Sequence, residues 1–374
     1  MVTDPIGLYV HIPYCVRKCN YCDFCSLPVG SDNSVPDEYV DRLIREIRTY
    51  KAENKVLLST VYIGGGTPSL LTEGQLEMIF AAISDSFDIS DEAEITMEVN
   101  PGTLTFEKAV AIKNVGVNRV SIGLQSIHEK ELKKLGRIHR YQEFLTSYKI
   151  IRDVGIRNVN IDLMYGIPYQ TSDSFASTLN EIGALAPEHI SAYGLIVEEG
   201  TPFGNEGHSL PLPTTDEECD MYDTCCSVLS SLEYNHYEIS NYAIPGYESR
   251  HNLLYWHMNQ YIGVGVAAHS YYGGKRYSNT TDVNEYVISP SENHIVIEET
   301  DDDLKYEYAM LGLRLKEGVS LSEYSAKFGV SFTEGKEDII ARLSREGLLR
   351  LTDDRISLTE RGFYLSNAIL VEIL

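Results

Sequence analysis

Long apolar runs are missing from this 374-residue chain, and no window approaches the roughly 18 uncharged residues that a membrane-spanning helix needs. A basic leader is missing too: Asp4 stands where a signal peptide would carry positive charge before its apolar stretch. The chain therefore reads as neither secreted nor membrane-inserted. Basic residues are scarce, with 31 Lys and Arg against 55 Asp and Glu and a formal net charge of −24. A surface built for phosphate backbones needs the opposite balance, so nucleic acid is excluded as the main partner. Cysteine is odd in number, seven in all, and four of the seven (Cys15, Cys19, Cys22, Cys25) crowd one segment. That distribution fits thiolate ligation in a reducing cytoplasm better than a disulfide framework.

What is present is a globular composition, 43% hydrophobic and 23% charged, long enough for two domains or for one large barrel with an appendage. Runs rich in β-branched residues recur at Leu8 to Ile12, Thr60 to Ile63, Ile95 to Val99, Arg119 to Leu124, Asn158 to Leu163 and Ile190 to Ile196. Between them lie helical stretches at Asp37 to Tyr50, Glu73 to Ser84, Phe106 to Asn114, Tyr141 to Val154 and Ser172 to Ala184. The alternation predicts an α/β fold, a parallel sheet of six βα units forming an incomplete (β/α)6 barrel of the TIM type. Thr72 and Gln75 have the spacing of a capping box, and Gly116 and Gly155 sit where helices should stop.

Strands buried on both faces usually read as continuous apolar runs. Here they alternate. Ile95, Met97 and Val99 oppose Glu94, Thr96 and Glu98; Val120, Ile122 and Leu124 oppose Arg119, Ser121 and Gln125; Val159, Ile161 and Leu163 oppose Asn158, Asn160 and Asp162. Outer helices take the apolar face, so the polar face points into the lumen and implies a polar ligand. A half-solvated sheet is the alternative.

The rhythm breaks at a loop rich in Pro and Gly, Thr201 to Pro213. Expected domains are 1–200, the barrel with its site; 201–299, a connecting region; and 300–374, a smaller α+β, winged-helix-like domain with a strand pair at Leu348 to Leu351 and Arg355 to Leu358. Cys219, Cys225 and Cys226 lack any spacing that specifies a metal and read as structural thiols.

Cys15, Cys19 and Cys22 form C-x3-C-x2-C, with Tyr21 between the last two. Three such thiolates can hold three irons of a cubane cluster, leaving one iron open. With Cys25 they can instead form a four-thiolate zinc site, and the cysteines alone leave both open. The next strand delivers VYIGGGTP, Val61 to Pro68, whose bare glycines would let a ligand approach the backbone.

This pair of motifs resembles the radical S-adenosylmethionine (SAM) superfamily. HIPYCVRKCNYCDFCS, YIGGGTPS, EVNPGT, RVSIGLQS, LGRIHR, NIDLMYGIP and RHNLLYW run in the order found in oxygen-independent coproporphyrinogen III oxidases and their relatives, the HemW-type haem chaperones. The resemblance covers nearly the whole chain. It implies a radical SAM barrel in which Cys15, Cys19 and Cys22 ligate a [4Fe-4S] cluster and SAM chelates the open iron. Tyr9, Tyr21, Gly65, Gly66, Thr67, Glu98, Gln125, Arg137 and Asp162 match positions near SAM. Glu98 suits ribose hydroxyls, and Arg137 can pair with a carboxylate. In the family, one electron from the reduced cluster cleaves SAM to methionine and a 5′-deoxyadenosyl radical, so an electron donor is an implied partner.

Three features favour the chaperone branch over the oxidase, an enzyme of porphyrin biosynthesis: 14 residues before Cys15, the C-x2-C spacing of Cys22 and Cys25, and His251, Asn252, Tyr255 and Trp256 in H-N-x-x-Y-W. The expectation is a cytoplasmic protein that binds haem through His251, Tyr255 and Trp256 and passes it to an acceptor haem protein; whether it is also an enzyme stays open. His236, His257 and His269 are alternative haem ligands.

Overall fold

A computed structural model of the chain describes residues 6–30, 33–290 and 294–374, so Asp4 lies outside the described residues. The six anticipated strands form as Ile6–Ile12, Leu57–Gly65, Asp88–Val99, Arg119–Gln125, Asn158–Tyr165 and His189–Gly194. They pair parallel, each with the next in sequence. The last ends at Gly194, two residues short of expectation, because Ile196 is already out on the surface.

Local chemistry sets the crossovers. The Thr72 side chain accepts from Gln75 N–H while Gln75 reaches back, the capping box expected at the start of Glu73–Ser86. Gly116 and Gly155 take positive φ (101° and 83°) just past the ends of Phe106–Asn114 and Tyr141–Asp153, where a side chain would be strained.

Ile95, Met97, Val99, Val120, Ile122, Val159 and Ile161 join the helices in one apolar core. The opposite face is closed to solvent too: Glu94, Thr96, Arg119, Ser121 and Asn160 are all buried. A half-solvated sheet would leave them wet. Instead, side chains from five successive strands (Tyr62, Glu98, Ser121, Asp162 and Ser191) line a single cavity, which requires the sheet to curl around it. The parallel ladder does not close, so the barrel is incomplete.

The region 201–299 extends both sheet edges, which the sequence pattern did not suggest. Tyr261–Val264 adds a parallel strand beside Ile6–Ile12, followed by antiparallel His269–Tyr272, Lys275–Ser278 and Ile295–Ile297. At the other edge, Asn241–Ala243 runs antiparallel to His189–Gly194 and pairs with Asn235–His236. Strands of two to four residues are too short to show a period of two.

Past residue 300, helices Asp301–Gly312, Leu321–Phe328 and Glu337–Arg345 pack on a three-stranded sheet of Val319–Ser320, Leu349–Leu351 and Arg355–Leu358. Their core centres on Leu313, Phe332, Ile340, Leu343 and Ile356 and takes in Tyr222 from helix Thr215–Ser231. Among the described residues no helix is long and apolar enough to cross a membrane.

Candidate active site in the barrel lumen

The cysteine loop is closed at its base. Tyr14–Cys15 pairs with Leu27–Pro28, through Leu27 N–H to Pro13 O (2.7 Å) and Val29 N–H to Cys15 O (2.9 Å). Its middle is tied down by Asn20, which donates through N–H to Leu135 O (2.9 Å) and through Nδ2 to Lys134 O (2.8 Å). A loop fastened at base and tip presents Cys15, Cys19 and Cys22 together on a cavity of about 480 Å³.

All three are free thiols. Cys15 Sγ accepts from Thr67 Oγ1 (3.4 Å) and Cys19 Sγ from Arg137 Nη1 (3.7 Å). Burial pushes the Cys15 and Cys22 thiols up, so a bound cation is needed to keep them ionised. Cys25 does not line the cavity; its Sγ donates to Thr281 O (3.4 Å). The donor set facing the lumen is therefore three thiolates and not four. Among the described residues, the one trio of potential ligand atoms within 4.8 Å of one another lies elsewhere in the molecule. At least one pair of the three sulfurs thus stands wider than the ~3.8 Å separation that Zn–S bonds of ~2.3 Å impose on one tetrahedral ion. Three spread thiols beside open space fit a cubane cluster.

The glycine loop earns its glycines differently from the expectation. A Cβ on Gly65 would meet the His11 ring at 2.8 Å, and one on Gly66 the Tyr14 carbonyl oxygen at 2.6 Å. The first requirement is thus close packing of this loop on the cysteine loop, where Gly66 N–H donates to Ile12 O (2.8 Å). Gly65 N–H turns inward to Glu98 Oε2 (3.1 Å), and Tyr62 Oη donates to Glu98 Oε1 (2.8 Å). Burial overrides those two donors and lifts the Glu98 carboxyl to about 7.

Deeper in the lumen, Asp162 accepts from Asn160 Nδ2 (2.7 Å) and Ser121 Oγ (3.0 Å), with its pKa raised by burial. Arg119 is buried in the same lumen with no partner for Nε, and Nε of Arg137 is equally unpartnered. Arg137 also donates from Nη2 to Asn100 Oδ1 (2.9 Å) and to Gly123 O. Two buried guanidiniums with donors in reserve make the cavity receptive to a carboxylate.

Of the predicted site residues, Cys15, Cys19, Cys22, Tyr21, Gly65, Gly66, Thr67, Glu98, Gln125, Arg137 and Asp162 all line this cavity, while Tyr9, His251, Tyr255 and Trp256 do not. Tyr9 sits a layer behind, its Oη bonded to His11 Nδ1 (2.8 Å) and its ring 6.2 Å from that of Tyr62. His251 has both nitrogens engaged, Nδ1 with Thr60 Oγ1 (2.7 Å) and Nε2 with Tyr255 Oη (2.8 Å), and its ring stacks on Tyr62 (5.2 Å). As folded, it has no free lone pair for haem iron. Burial, aided by Arg119, lowers its pKa to about 3. Asn252 alone of the motif reaches the lumen. Residues that sequence reasoning left out of the site are Tyr62, Asn100, Arg119, Ser191 and Tyr193; Arg119 and Tyr62 carried a signal, as polar or aromatic residues on inward-facing strand positions.

The fold and the cysteine-bearing lumen define the class first: the profile of the Radical SAM superfamily matches residues 9–182, and that of the HemN C-terminal domain matches residues 300–365. A solved structure of coproporphyrinogen III oxidase (HemN) from Escherichia coli, titled a radical SAM enzyme, superposes with a TM-score of 0.85 at 23% identity, covering 99% of this chain and 90% of that one. That likeness establishes the fold. The chain is 36% identical to the haem chaperone HemW of Lactococcus lactis (100% of this chain, 98% of that one). It is 37% identical to that of Bacillus subtilis (96% and 97%) and 35% to that of Escherichia coli K12 (98% and 97%). The chain belongs to the HemW haem chaperone family of the radical SAM superfamily.

Proposed function

We propose that the protein is a haem chaperone that carries a [4Fe-4S] cluster and SAM, binds haem and hands it to an acceptor haem protein. The observation that carries this reading is full-length kinship to haem chaperones combined with a lumen whose three free thiols and buried acid and base groups suit those cofactors. In this reading residues 1–200 hold the cluster and SAM, 201–299 connect, and 300–374 form the smaller winged-helix-like domain, a packing or docking module.

Cys15, Cys19 and Cys22 would hold the cluster, which when bound supplies one-electron reduction from an external donor. Arg137 and Arg119 would orient a carboxylate through their unpartnered Nε–H groups. Glu98 would accept ribose hydroxyls, and Thr67 fixes the Cys15 thiol from one side. Phe24, Ile138 and Ile196, each more than half exposed at the cavity mouth, offer an apolar rim suited to a flat macrocycle. The haem contact assigned to His251, Tyr255 and Trp256 requires His251 to release Thr60 or Tyr255 before it meets iron.

The test is anaerobic. Protein with a reconstituted cluster is given SAM, a reductant and coproporphyrinogen III, and in parallel is titrated with haem. About one haem per chain and no decarboxylated tetrapyrrole is the expected result. Product over many turnovers would make it an oxidase and overturn the chaperone reading.

A further inference from the structure

A second group of metal-ligating side chains lies outside the lumen, on another cavity of about 550 Å³ between the sheet edge and the C-terminal residues. Cys226 comes from helix Thr215–Ser231, His236 from the edge strand Asn235–His236, and Glu360 from the first turn after strand Arg355–Leu358. A sulfur, a ring nitrogen and a carboxylate oxygen of these three lie within 4.8 Å of one another. His236 Nδ1 is 3.5 Å and Cys226 Sγ 3.9 Å from the same oxygen, Glu360 Oε2. Ligand atoms around one tetrahedral zinc stand about 3.3–3.8 Å apart, so small side-chain rotations close the site.

Independent of that convergence, His236 has an 8% exposed side chain and no hydrogen-bond partner on either ring nitrogen. Stacking on Tyr242 (4.3 Å, 13°) explains why a flat ring is there, but not why it is an imidazole. The surrounding groups orient the ligands: Lys316 pairs with the other carboxylate oxygen, Oε1, leaving Oε2 for the trio, and Tyr242 Oη stands 3.3 Å from Cys226 Sγ. Cys226, read from sequence as a structural thiol, is thus grouped with two ligands that no sequence spacing links to it.

We propose that Cys226, His236 and Glu360 form a zinc site, with the cavity side left for water, that fastens the C-terminal residues to the edge of the barrel sheet. The mixed sulfur, nitrogen and oxygen set selects a borderline ion over Mg2+ or Ca2+. The proposal does not depend on the chaperone reading.

The experiment measures zinc binding in the full chain by metal analysis after anaerobic equilibrium with buffered Zn2+. It uses wild type and a background in which Cys15, Cys19 and Cys22 are all alanine, which removes the lumen thiols as competitors. One zinc per chain is expected in both. Glu360→Gln and His236→Gln should weaken it at least about tenfold, since even outer-sphere losses reach that size. Glu360 is mostly exposed, so its variant keeps the fold, with circular dichroism as the check. In the alanine background Co2+ should give a thiolate charge-transfer band that Cys226→Ser abolishes, and Zn2+ should raise the melting temperature of wild type but not of Glu360→Gln. Unchanged zinc affinity in both glutamine variants, or no zinc retained by wild type, would overturn the proposal.

Discussion

Two buried histidines stand in opposite states. His251 is enclosed by Thr60, Tyr255 and the Tyr62 ring, with every polar atom used. His236 is largely enclosed, yet neither nitrogen has a hydrogen-bond partner, Nδ1 only facing Glu360 Oε2 at 3.5 Å. Residue type, burial and aromatic neighbours are alike; what differs is whether the fold has already consumed the lone pairs. A satisfied imidazole is a structural brace whose removal damages the fold. An unsatisfied one is either a cost or half of a binding site. Saturation of partners, more than the presence of a ligand-type residue, sorts candidate sites.

The cysteines apply the sharpest break to that rule. Cys15, Cys19 and Cys22 face the lumen while Cys25 is bonded to Thr281, so Cys19→Ala should lose the cluster's iron, sulfide and visible absorption entirely, whereas Cys25→Ala should retain them. Iron analysis and the anaerobic spectrum decide. Cluster loss in Cys25→Ala would show that saturation as drawn does not discriminate.

Stability separates the histidines directly. His251→Ala strands the Thr60 and Tyr255 hydroxyls and opens a void under Tyr62, an expected cost of about 2–4 kcal/mol. His236→Phe keeps the stack on Tyr242 and removes two unpartnered nitrogens, so in zinc-free protein its cost should stay within about 1 kcal/mol. Urea midpoints measure both, and equal losses would erase the distinction.

Much of the lumen was legible because strand parity is a local rule. Glu98, Gln125 and Asp162 were assigned inward from alternation and do converge on one cavity. What stayed hidden depends on elements distant in sequence. Glu94 shares that inward face, but it accepts from the N–H groups of Arg250 (3.1 Å) and His251 (3.0 Å) and so serves the helix Arg250–Trp256 rather than a ligand. Gly65 and Gly66 were recognisable as a glycine loop, though the ring and carbonyl that exclude a Cβ there come from His11 and Tyr14. The grouping of Cys226 with Glu360 follows from how the C-terminal residues pack on the sheet edge, and nothing in DEECDMYDTCC encodes it.

Acid sharpens the contrast further. His251 holds a folded pKa of about 3 against ~6.5 in an unfolded chain, so below pH 6.5 the unfolded state takes up a proton that the folded state refuses. Stability from this group is whole above pH 6.5 and drains away as pH falls toward 3. Between pH 6.5 and 5 the loss is about 2 kcal/mol. Glu98 and Glu238, both raised to about 7 by burial, work in the opposite sense: their contribution is present at low pH and lost as pH rises through 7. The comparison must therefore be between variants. His251→Gln should flatten the fall between pH 6.5 and 5 by about 2 kcal/mol relative to wild type. An identical pH profile would mean that His251 is protonated in the folded state and free to exchange partners.

The smallest expected effect tests whether a partly satisfied group behaves between these extremes. Glu98 accepts from Tyr62 and Gly65 but keeps lone pairs toward the lumen. If those pairs receive ribose hydroxyls, Glu98→Gln should weaken SAM about tenfold, near 1.4 kcal/mol, because glutamine retains one acceptor and only charge assistance is lost. The cluster should be untouched, since Glu98 bonds no cysteine in the described structure. The carboxyl titrates at about 7, so wild-type affinity should rise with pH through that value as the stronger acceptor forms, and the variant should lose the dependence. Calorimetry of SAM binding at pH 6 and 8 reads both. A pH dependence that survives in Glu98→Gln would move the titrating acceptor to Asp162, the other buried carboxyl raised by the same lumen.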